Sequence, residues 1–82
     1  MLETIYKKYT EIKKKEKRIL IWNMGVSFIA FDNDAEICAK VLALPLDSVS
    51  GVRKTEFPRN AINIYLPQLL RAGYKVAVAE EH

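Results

Sequence analysis

Apolar residues recur at helical spacing over the first sixteen positions of the chain. They follow the i, i+3, i+4, i+7 pattern of a single stripe, whereas lysines occupy the opposite side. The stripe consists of Leu2, Ile5, Tyr6, Tyr9 and Ile12. This periodicity predicts an amphipathic helix over residues 2–16 whose apolar side packs on the rest of the protein.

Two short runs of apolar and β-branched residues follow, 19–24 and 26–31, with Gly25 between them. Runs of this kind separated by a glycine are typical of two strands joined as a hairpin. A second helix is predicted next, because Asn33 followed three residues later by Glu36 resembles a capping box. It should end near Ala43, since Pro45 disfavours helical geometry in the preceding residue.

The second half of the chain carries weaker strand signals and one more helical stripe. Residues 46–49 and 52–57 are predicted as strands around a Ser-Gly turn, and Pro58 stops the second of them. Asn60 is the expected N-cap of a third helix, and Gly73 its C-terminal glycine. Pro67 interrupts this helical pattern. A proline inside a helix removes one hydrogen bond and costs on the order of 3 kcal/mol unless the helix kinks or splits.

The last predicted strand, residues 74–79, is apolar on both faces. Val76 and Val78 alternate with Ala77 and Ala79, which is the pattern of a central, covered strand. The predicted order is therefore α-β-β-α-β-β-α-β. It indicates a single α/β domain over residues 1–82, with a mixed β-sheet and about three flanking helices.

Three blocks of the chain have the order and spacing of motifs found in a known family. The first is Leu20-Ile21-Trp22-Asn23-Met24-Gly25-Val26-Ser27-Phe28-Ile29-Ala30-Phe31-Asp32-Asn33-Asp34-Ala35, and the second is Phe57-Pro58-Arg59-Asn60-Ala61. The third is Tyr65-Leu66 followed by Leu69-Leu70-Arg71-Ala72-Gly73-Tyr74-Lys75-Val76-Ala77-Val78-Ala79-Glu80. Together they resemble domain I, the small N-terminal domain of the MutS DNA mismatch-repair family, here as a stand-alone small protein. The resemblance implies a mixed sheet flanked by helices and a role in DNA binding and DNA repair.

The chain departs from the resembled family at the residues that read a mispaired base. In the family, the Phe of a Phe-x-Glu motif wedges the duplex open and the Glu bonds to the base. The matching positions here are Ser27 and Ile29, which offer neither a ring nor an acceptor to a base. Phe28 lies one residue away, and a one-residue shift on a strand turns the side chain to the opposite face, where we expect core. These departures predict DNA binding without mismatch discrimination.

Positive charge is concentrated at the N-terminal end of the chain. The 82 residues carry a net charge of +3, but residues 1–18 hold seven basic and three acidic residues, a net +4. The remainder holds six basic and seven acidic residues, a net −1. Such a segment is a candidate phosphate-binding surface, and it is equally typical of a solvated helix face.

Composition excludes several other kinds of site. One cysteine, Cys38, rules out an internal disulfide and a multi-cysteine zinc site, and the one histidine is His82, either native or tag-derived. No apolar run approaches the roughly 20 residues that span a membrane, and the N-terminus does not resemble a signal peptide. We therefore expect a cytoplasmic protein that binds no metal and no cofactor.

The sequence also gives little support for catalysis. It has no Gly-x-x-x-x-Gly-Lys-Ser/Thr phosphate loop, so the ATPase activity of the resembled family is not expected. A hydrolase or nuclease would need a site built from the scattered acids Asp47, Glu56 and Glu80. We predict a protein that is not an enzyme.

Two classes of function remain after these exclusions. The first is a nucleic-acid-binding module that contacts duplex DNA weakly and in a salt-dependent way. Its predicted contact residues are Lys13, Lys14, Lys15, Lys17, Arg18, Ser27, Arg53, Lys54 and Arg59. The second is a protein-interaction or homodimerisation module that uses an exposed sheet edge or an apolar helix face. Trp22, Tyr6 and Tyr9 are candidate stacking platforms, although their positions favour the core.

Overall fold

The protein is described by a computed structural model over residues 2–80, which form one mixed five-stranded sheet with three α-helices. The origin of His82 lies outside the described residues. In chain order the elements are α1 (Leu2–Lys13), β1 (Ile19–Asn23), β2 (Ser27–Phe31), α2 (Asp32–Leu42), β3 (Asp47–Val49), β4 (Val52–Pro58), a 3₁₀ turn (Arg59–Ala61), α3 (Ile62–Arg71) and β5 (Val76–Glu80). The predicted element order and α/β class are confirmed.

The strands lie side by side in the order β3-β4-β2-β1-β5. β1 and β2 form the predicted antiparallel hairpin, with Trp22 opposite Ile29, and Gly25 supplies the positive φ of +97° in its turn. β2 also pairs antiparallel with β4, and β3 with β4. β5 is the exception, because it runs parallel to β1 from the pair Ile19 and Val76 onward.

Alternation along β1 and β2 builds a separate core on each face of the sheet. On one face, Leu20, Trp22, Ile29 and Phe31 pack against α1, where the Tyr9 ring meets the Phe31 ring edge-on at 4.9 Å. The opposite face packs against α2 and α3, and its core consists of Ile19, Ile21, Phe28, Ala30, Ala35, Cys38, Leu42, Phe57 and Leu69. Trp22 and Tyr9 are therefore buried core residues, as their positions predicted.

β5 was predicted to be internal, and this prediction is wrong. It is the edge strand next to β1, and Val78 is 53% exposed. Ala77 and Ala79 border the core under α1, whereas Val76 borders the core under α2 and α3. A strand between two helical layers needs apolar residues on both faces whether or not a further strand lies beside it. The pattern therefore indicates facial burial and says nothing about lateral pairing.

Several helix ends differ from the predictions. α1 ends at Lys13, three residues before the predicted end, since the N–H groups of Lys15 and Glu16 both turn back to the carbonyl of Ile12. The capping box at Asn33 is wrong, because Phe31 occupies the N-cap position and makes no side-chain cap bond. Glu36, the predicted capping-box partner of Asn33, forms an ion pair with Arg53 instead.

α3 follows a 3₁₀ turn, so its N-cap is Ala61 and the predicted cap at Asn60 is wrong. Its C-terminal end agrees with the prediction. Gly73 adopts a φ of +95°, and the N–H of Tyr74 bonds to the carbonyl of Leu69 at 3.1 Å, as in a glycine-terminated helix. Pro67 lies inside this continuous helix.

Candidate nucleic-acid interface

The turn between β1 and β2 is held by side chains at one end of the sheet. The N–H of Gly25 donates to Oδ1 of Asn23 at 2.8 Å, and Nδ2 of Asn23 donates to Oε2 of Glu80 at 3.2 Å. The N–H of Arg59 bonds to the carbonyl of Val26 at 3.1 Å. Val26 itself is 85% exposed at the tip. These contacts define the turn end of the sheet, namely residues 23–27, 58–60 and 80.

Ser27 and Ile29, which match the two reading positions, are not arranged to meet a base. Oγ of Ser27 donates to Oε2 of Glu56 on the neighbouring strand at 3.1 Å, so the hydroxyl already has a partner. Ile29 is only 1% exposed and lies in the core beneath α1. Position 29 is therefore sealed by the helix that precedes the sheet.

Phe28 belongs to the core on the opposite face, as expected. It is 6% exposed, and its ring stacks on that of Phe57 with a centroid separation of 5.6 Å. The Phe57 ring in turn meets Tyr65 of α3 edge-on at 5.1 Å. Moving Phe28 out to a DNA base would break its contact with this aromatic cluster, and the prediction of a core position for Phe28 is confirmed.

Several cations of the basic N-terminal segment are engaged within the protein. Nζ of Lys14 pairs with Glu11 at 3.0 Å. Arg18 makes two bonds of 2.8 Å to Glu16, one to each carboxylate oxygen; these bonds lower the pKa of Glu16 to about 2. Across residues 2–80, Lys15 and Lys17 have no ion-pair partner. Among the predicted contact residues of this segment, they are the ones that a phosphate can reach without breaking an ion pair within residues 2–80.

Lys13 has a structural role, because it is part of a buried polar cluster around Asp34. Asp34 is 5% exposed, and its carboxylate accepts bonds from the Tyr9 hydroxyl at 2.8 Å, the Leu20 N–H at 3.1 Å and Lys13 Nζ at 3.1 Å. Burial and the neighbouring Asp34 charge raise the pKa of Tyr9. The cluster thus joins α1, β1 and α2 at one point, and within it the ammonium group of Lys13 is paired with Asp34.

The predicted contacts on and after β4 are also largely paired. Arg53 forms an ion pair with Glu36 of α2. Lys54 lies 3.1 Å from Glu56 and 3.9 Å from Asp47, and its side chain is only 14% exposed. Arg59 is exposed and, among residues 2–80, has no ion-pair partner.

The predicted contact residues do not converge on one site. Ser27 and Arg59 lie at the turn end. Lys17 and Arg18 lie at the opposite end, where β1 and β5 begin; we call this the basic end, comprising residues 13–19, 33–34 and 73–75. Because β1 has five residues, the two ends are separated by roughly 13 Å along the strand.

The basic end also includes Tyr74 and Lys75, which are not among the contacts predicted from the sequence. They line a cleft together with Lys17 and Arg18. The signal that could have found them is the parallel pairing of β1 with β5, which places the residues before each strand beside one another. Residues 19–24 and 74–79 were both predicted as strands, but their pairing was not predicted.

Within residues 2–80, no group of three or more His, Cys, Asp or Glu side chains is arranged to hold a metal ion. None of the helices in this part of the chain has the length and apolar character required to cross a membrane.

Comparison with known proteins gives a consistent result. The family model described as MutS domain I matches residues 3–82. Proteins named DNA mismatch repair protein MutS from Thermosipho melanesiensis and Pseudothermotoga lettingae are 38% and 37% identical to the chain over 81 residues, which cover 98% of this chain and 10% of each relative. The protein of that name from Flavobacterium psychrophilum is 34% identical over 83 residues, covering 94% of this chain and 10% of the relative. The chain thus spans about a tenth of the length of these relatives.

Proposed function

This chain belongs to the MutS domain I family, and from that membership we propose that it is a non-catalytic module that binds the DNA backbone without discriminating mismatches. One observation carries the second half of this proposal. Ser27 is bonded to Glu56 and Ile29 is buried under α1, so neither reading position presents a ring or an acceptor to a base. What remains for DNA is a set of cations, which contact phosphates irrespective of sequence.

The proposed contact set comprises Lys13, Lys14, Lys15, Lys17, Arg18, Ser27, Arg53, Lys54 and Arg59. These residues differ in the ion pair within the protein that a DNA phosphate would have to replace. Lys15, Lys17 and Arg59 need give up no ion pair with residues 2–80. Contact through Lys14, Arg18 or Arg53 would exchange an exposed pair for a phosphate, a small change because exposed pairs contribute about 0–1 kcal/mol. Lys13 would have to leave buried Asp34, which makes it the weakest candidate.

The mismatch half of the proposal is tested by comparing duplexes that differ at one base pair. Matched and mispaired duplexes of the same length should bind with affinities within roughly a factor of two, because a tenfold preference requires about 1.4 kcal/mol of discrimination. Fluorescence anisotropy of labelled duplexes at low salt measures both affinities. A tenfold preference for the mispair would overturn the proposal.

The backbone half of the proposal is tested by the salt dependence of duplex binding. Replacing Lys15 and Lys17 with Gln should weaken binding to all sequences alike, and each phosphate interaction that the variant removes should flatten the dependence by about 0.9 log units per decade of salt. Lys13 is left unchanged, because its removal would leave the carboxylate of Asp34 without its cation. A Lys40→Gln/Arg71→Gln variant, with the same change of net charge outside residues 1–18, serves as the matched control.

Three outcomes would reject the backbone contact. The first is a parent protein with no salt-dependent binding at roughly 50 mM salt. The second is a Lys15/Lys17 variant that retains the parental slope, and the third is a control variant whose slope falls by as much. In each case the basic segment is only a solvated surface.

We propose no catalytic role. Asp47 and Glu56 both lie beside Lys54, and Glu80 bonds to Asn23 at the turn end, so the three acids do not form a constellation around one substrate position. An ATP hydrolysis assay on the purified chain should therefore give the rate of the buffer alone. Activity that survives repurification and falls on substitution of these acids would contradict this.

A second candidate function is self-association through the edge of β5. Val78 on this edge strand is 53% exposed, and an edge strand with exposed apolar side chains is a template for pairing with another strand. If the edge is an interface between two copies, sedimentation equilibrium should show a dimer that Val78→Lys dissociates. A monomer at the concentrations used for DNA binding would remove this candidate.

A further inference from the structure

At the basic end, three connecting segments line a cleft of about 410 Å³. The α1–β1 loop, the first turn of α2 and the α3–β5 segment contribute its polar and aromatic side chains. Those that bear on ligand binding are Lys17, Arg18, Asn33, Tyr74 and Lys75. The volume lies within the range of small-molecule sites, roughly 300–1,000 Å³, so the cleft can hold one nucleotide-sized ligand.

Hydrogen bonds to backbone carbonyls hold the walls of this cleft in place. The N–H of Ile19 donates to the carbonyl of Lys75 at 2.9 Å, which fixes the loop before β1 beside the segment before β5. Nζ of Lys13 donates to the carbonyl of Arg18 at 2.9 Å, and the N–H of Tyr74 is bonded to the end of α3. The cleft is therefore formed before any ligand arrives, which reduces the ordering that binding requires.

The cleft carries an excess of positive charge. Lys17 and Lys75 are exposed and, within residues 2–80, have no ion-pair partner. The two other cations lining it are balanced, Arg18 by Glu16 and Lys13 by Asp34. Two uncompensated ammonium groups beside the amide of Asn33 suit an anion with several oxygen acceptors, such as a phosphate diester.

An exposed aromatic ring lies next to these lysines. Tyr74 is 36% exposed, and across residues 2–80 it has no aromatic partner. By contrast, Tyr6 and Tyr9 both contact Phe31, and Tyr65 contacts Phe57. Backbone-tracking cations combined with an aromatic surface are the features by which proteins hold single-stranded nucleic acid.

We propose that this cleft binds an unpaired nucleotide of single-stranded DNA, with Lys17 and Lys75 on its phosphate and its base stacked on Tyr74. The inference rests on the proposed function, because it names a form of DNA that the same module takes. A base inside a duplex is already stacked and paired and does not reach the ring. Tyr74 therefore favours single strands, whereas the lysines contribute to both forms.

The test uses a labelled oligothymidine on the order of ten nucleotides long and a duplex of the same length, both at low salt. Tyr74→Leu should weaken single-strand binding about fivefold or more, the equivalent of removing one base–aromatic stack, and leave duplex binding unchanged. Tyr74→Phe, which keeps the ring, should bind as the parent does. Lys75→Gln should reduce the single-strand salt dependence by about 0.7 log units per decade.

The variants distinguish failure of the cleft from failure of the proposed function. If the parent binds DNA but Tyr74→Leu and Lys75→Gln bind single strands as it does, the cleft is wrong and backbone binding stands. If Lys40→Gln, on α2, costs as much as Lys75→Gln, the effect is one of net charge and the cleft is again wrong. If the parent binds neither form of DNA, both proposals fall.

Discussion

The polar groups at the two ends of the sheet differ in how far they are paired within the protein. At the turn end, Asn23, Ser27 and Glu80 bond to one another or to neighbouring strands, and the position beside Ser27 on the same face is buried Ile29. At the basic end, the polar groups include a buried cluster at Asp34 and, outside it, two cations that have no ion-pair partner within residues 2–80, Lys17 and Lys75. The first end bonds most of its polar side chains to one another and leaves one cation, Arg59, without an ion-pair partner within residues 2–80, whereas the second end has two such cations lining one cleft.

The proposed sites imply that a family fold does not fix which of its surfaces binds DNA. The backbone of the β1–β2 hairpin needs only the glycine turn and alternating apolar residues, and both remain after the reading side chains are replaced. In our proposal, ligand binding needs accessible groups of the right chemistry, and the two cations of the cleft lie roughly 13 Å away at the other end of β1. Matched substitutions at the two ends, compared by their effect on the free energy of unfolding, test this difference.

The largest effect is expected from restoring the glutamate of the reading motif at the turn end. Ile29→Glu places a carboxylate in the core under α1, where Ile29 is 1% exposed, and should lower the free energy of unfolding by about 4 kcal/mol or more. Ser27 is half-buried. Ser27→Phe, the other half of the motif, should therefore change the free energy of unfolding by less than about 1 kcal/mol. Urea denaturation followed by circular dichroism measures both. An Ile29→Glu variant as stable as the parent would mean that α1 does not seal this position.

At the basic end, the buried cluster should resist substitution almost as strongly. Asp34→Ala leaves the Leu20 N–H without its acceptor and removes the carboxylate partner of Tyr9 and Lys13, which keep only their bonds to backbone carbonyls; it should cost about 3 kcal/mol. The matched change at the turn end is Glu80→Ala, whose carboxylate is exposed and bonded to Asn23; it should cost less than about 0.5 kcal/mol. Equal losses of stability in the two variants would show that the ends are not held differently.

Alkaline pH should destabilise the protein through groups close to Asp34. Burial and the Asp34 charge raise the pKa of Cys38 to about 12 from 9.0. A thiol that keeps its proton longer in the folded state contributes stability below pH 9, and that stability is lost as the pH rises toward 12. The free energy of unfolding should fall by about 2 kcal/mol between pH 8.5 and 10.5.

Denaturation series at those two pH values, with a Cys38→Ala control, test this expectation. The control should be less stable at both values because it removes buried volume, but its pH dependence over this interval should be nearly flat. The raised pKa of Tyr9 adds a similar loss of stability only above pH 10, the ordinary value for tyrosine. An unchanged slope in the control would assign the alkaline destabilisation to another group.

The smallest effect is expected from Pro67, in the helix that runs between the two ends. Because α3 is continuous through Pro67, alanine restores the N–H that can bond to the carbonyl of Asn63 and should stabilise the domain by about 1 kcal/mol, after allowance for the added freedom of the unfolded chain. Thermal unfolding monitored by circular dichroism measures the change. A lower midpoint in the variant would indicate that Pro67 starts a separate helical segment.

Local elements were predictable from the sequence because their signals are local. The helical stripe of α1, the glycine turn of the β1–β2 hairpin and the positive φ at Gly73 each depend on residues within one or two turns of chain. Where a distant side chain takes over a local role, prediction failed. Asn33 and Glu36 have the spacing of a capping box, but Arg53, on the neighbouring strand β4, holds Glu36.

The order of elements, the family and the absence of a ring and a carboxylate at positions 27 and 29 follow from the amino-acid sequence alone, because identity and periodicity are properties of the chain. Three further features required the folded arrangement: β5 is an edge strand, Lys13 pairs with the buried Asp34, and Lys75 lines the same cleft as Lys17. Each of these depends on which segments come together in space. The net charge of a segment can be counted from its sequence. Whether a charged side chain is available to a ligand depends on the ion-pair partners that folding brings within about 4 Å of it.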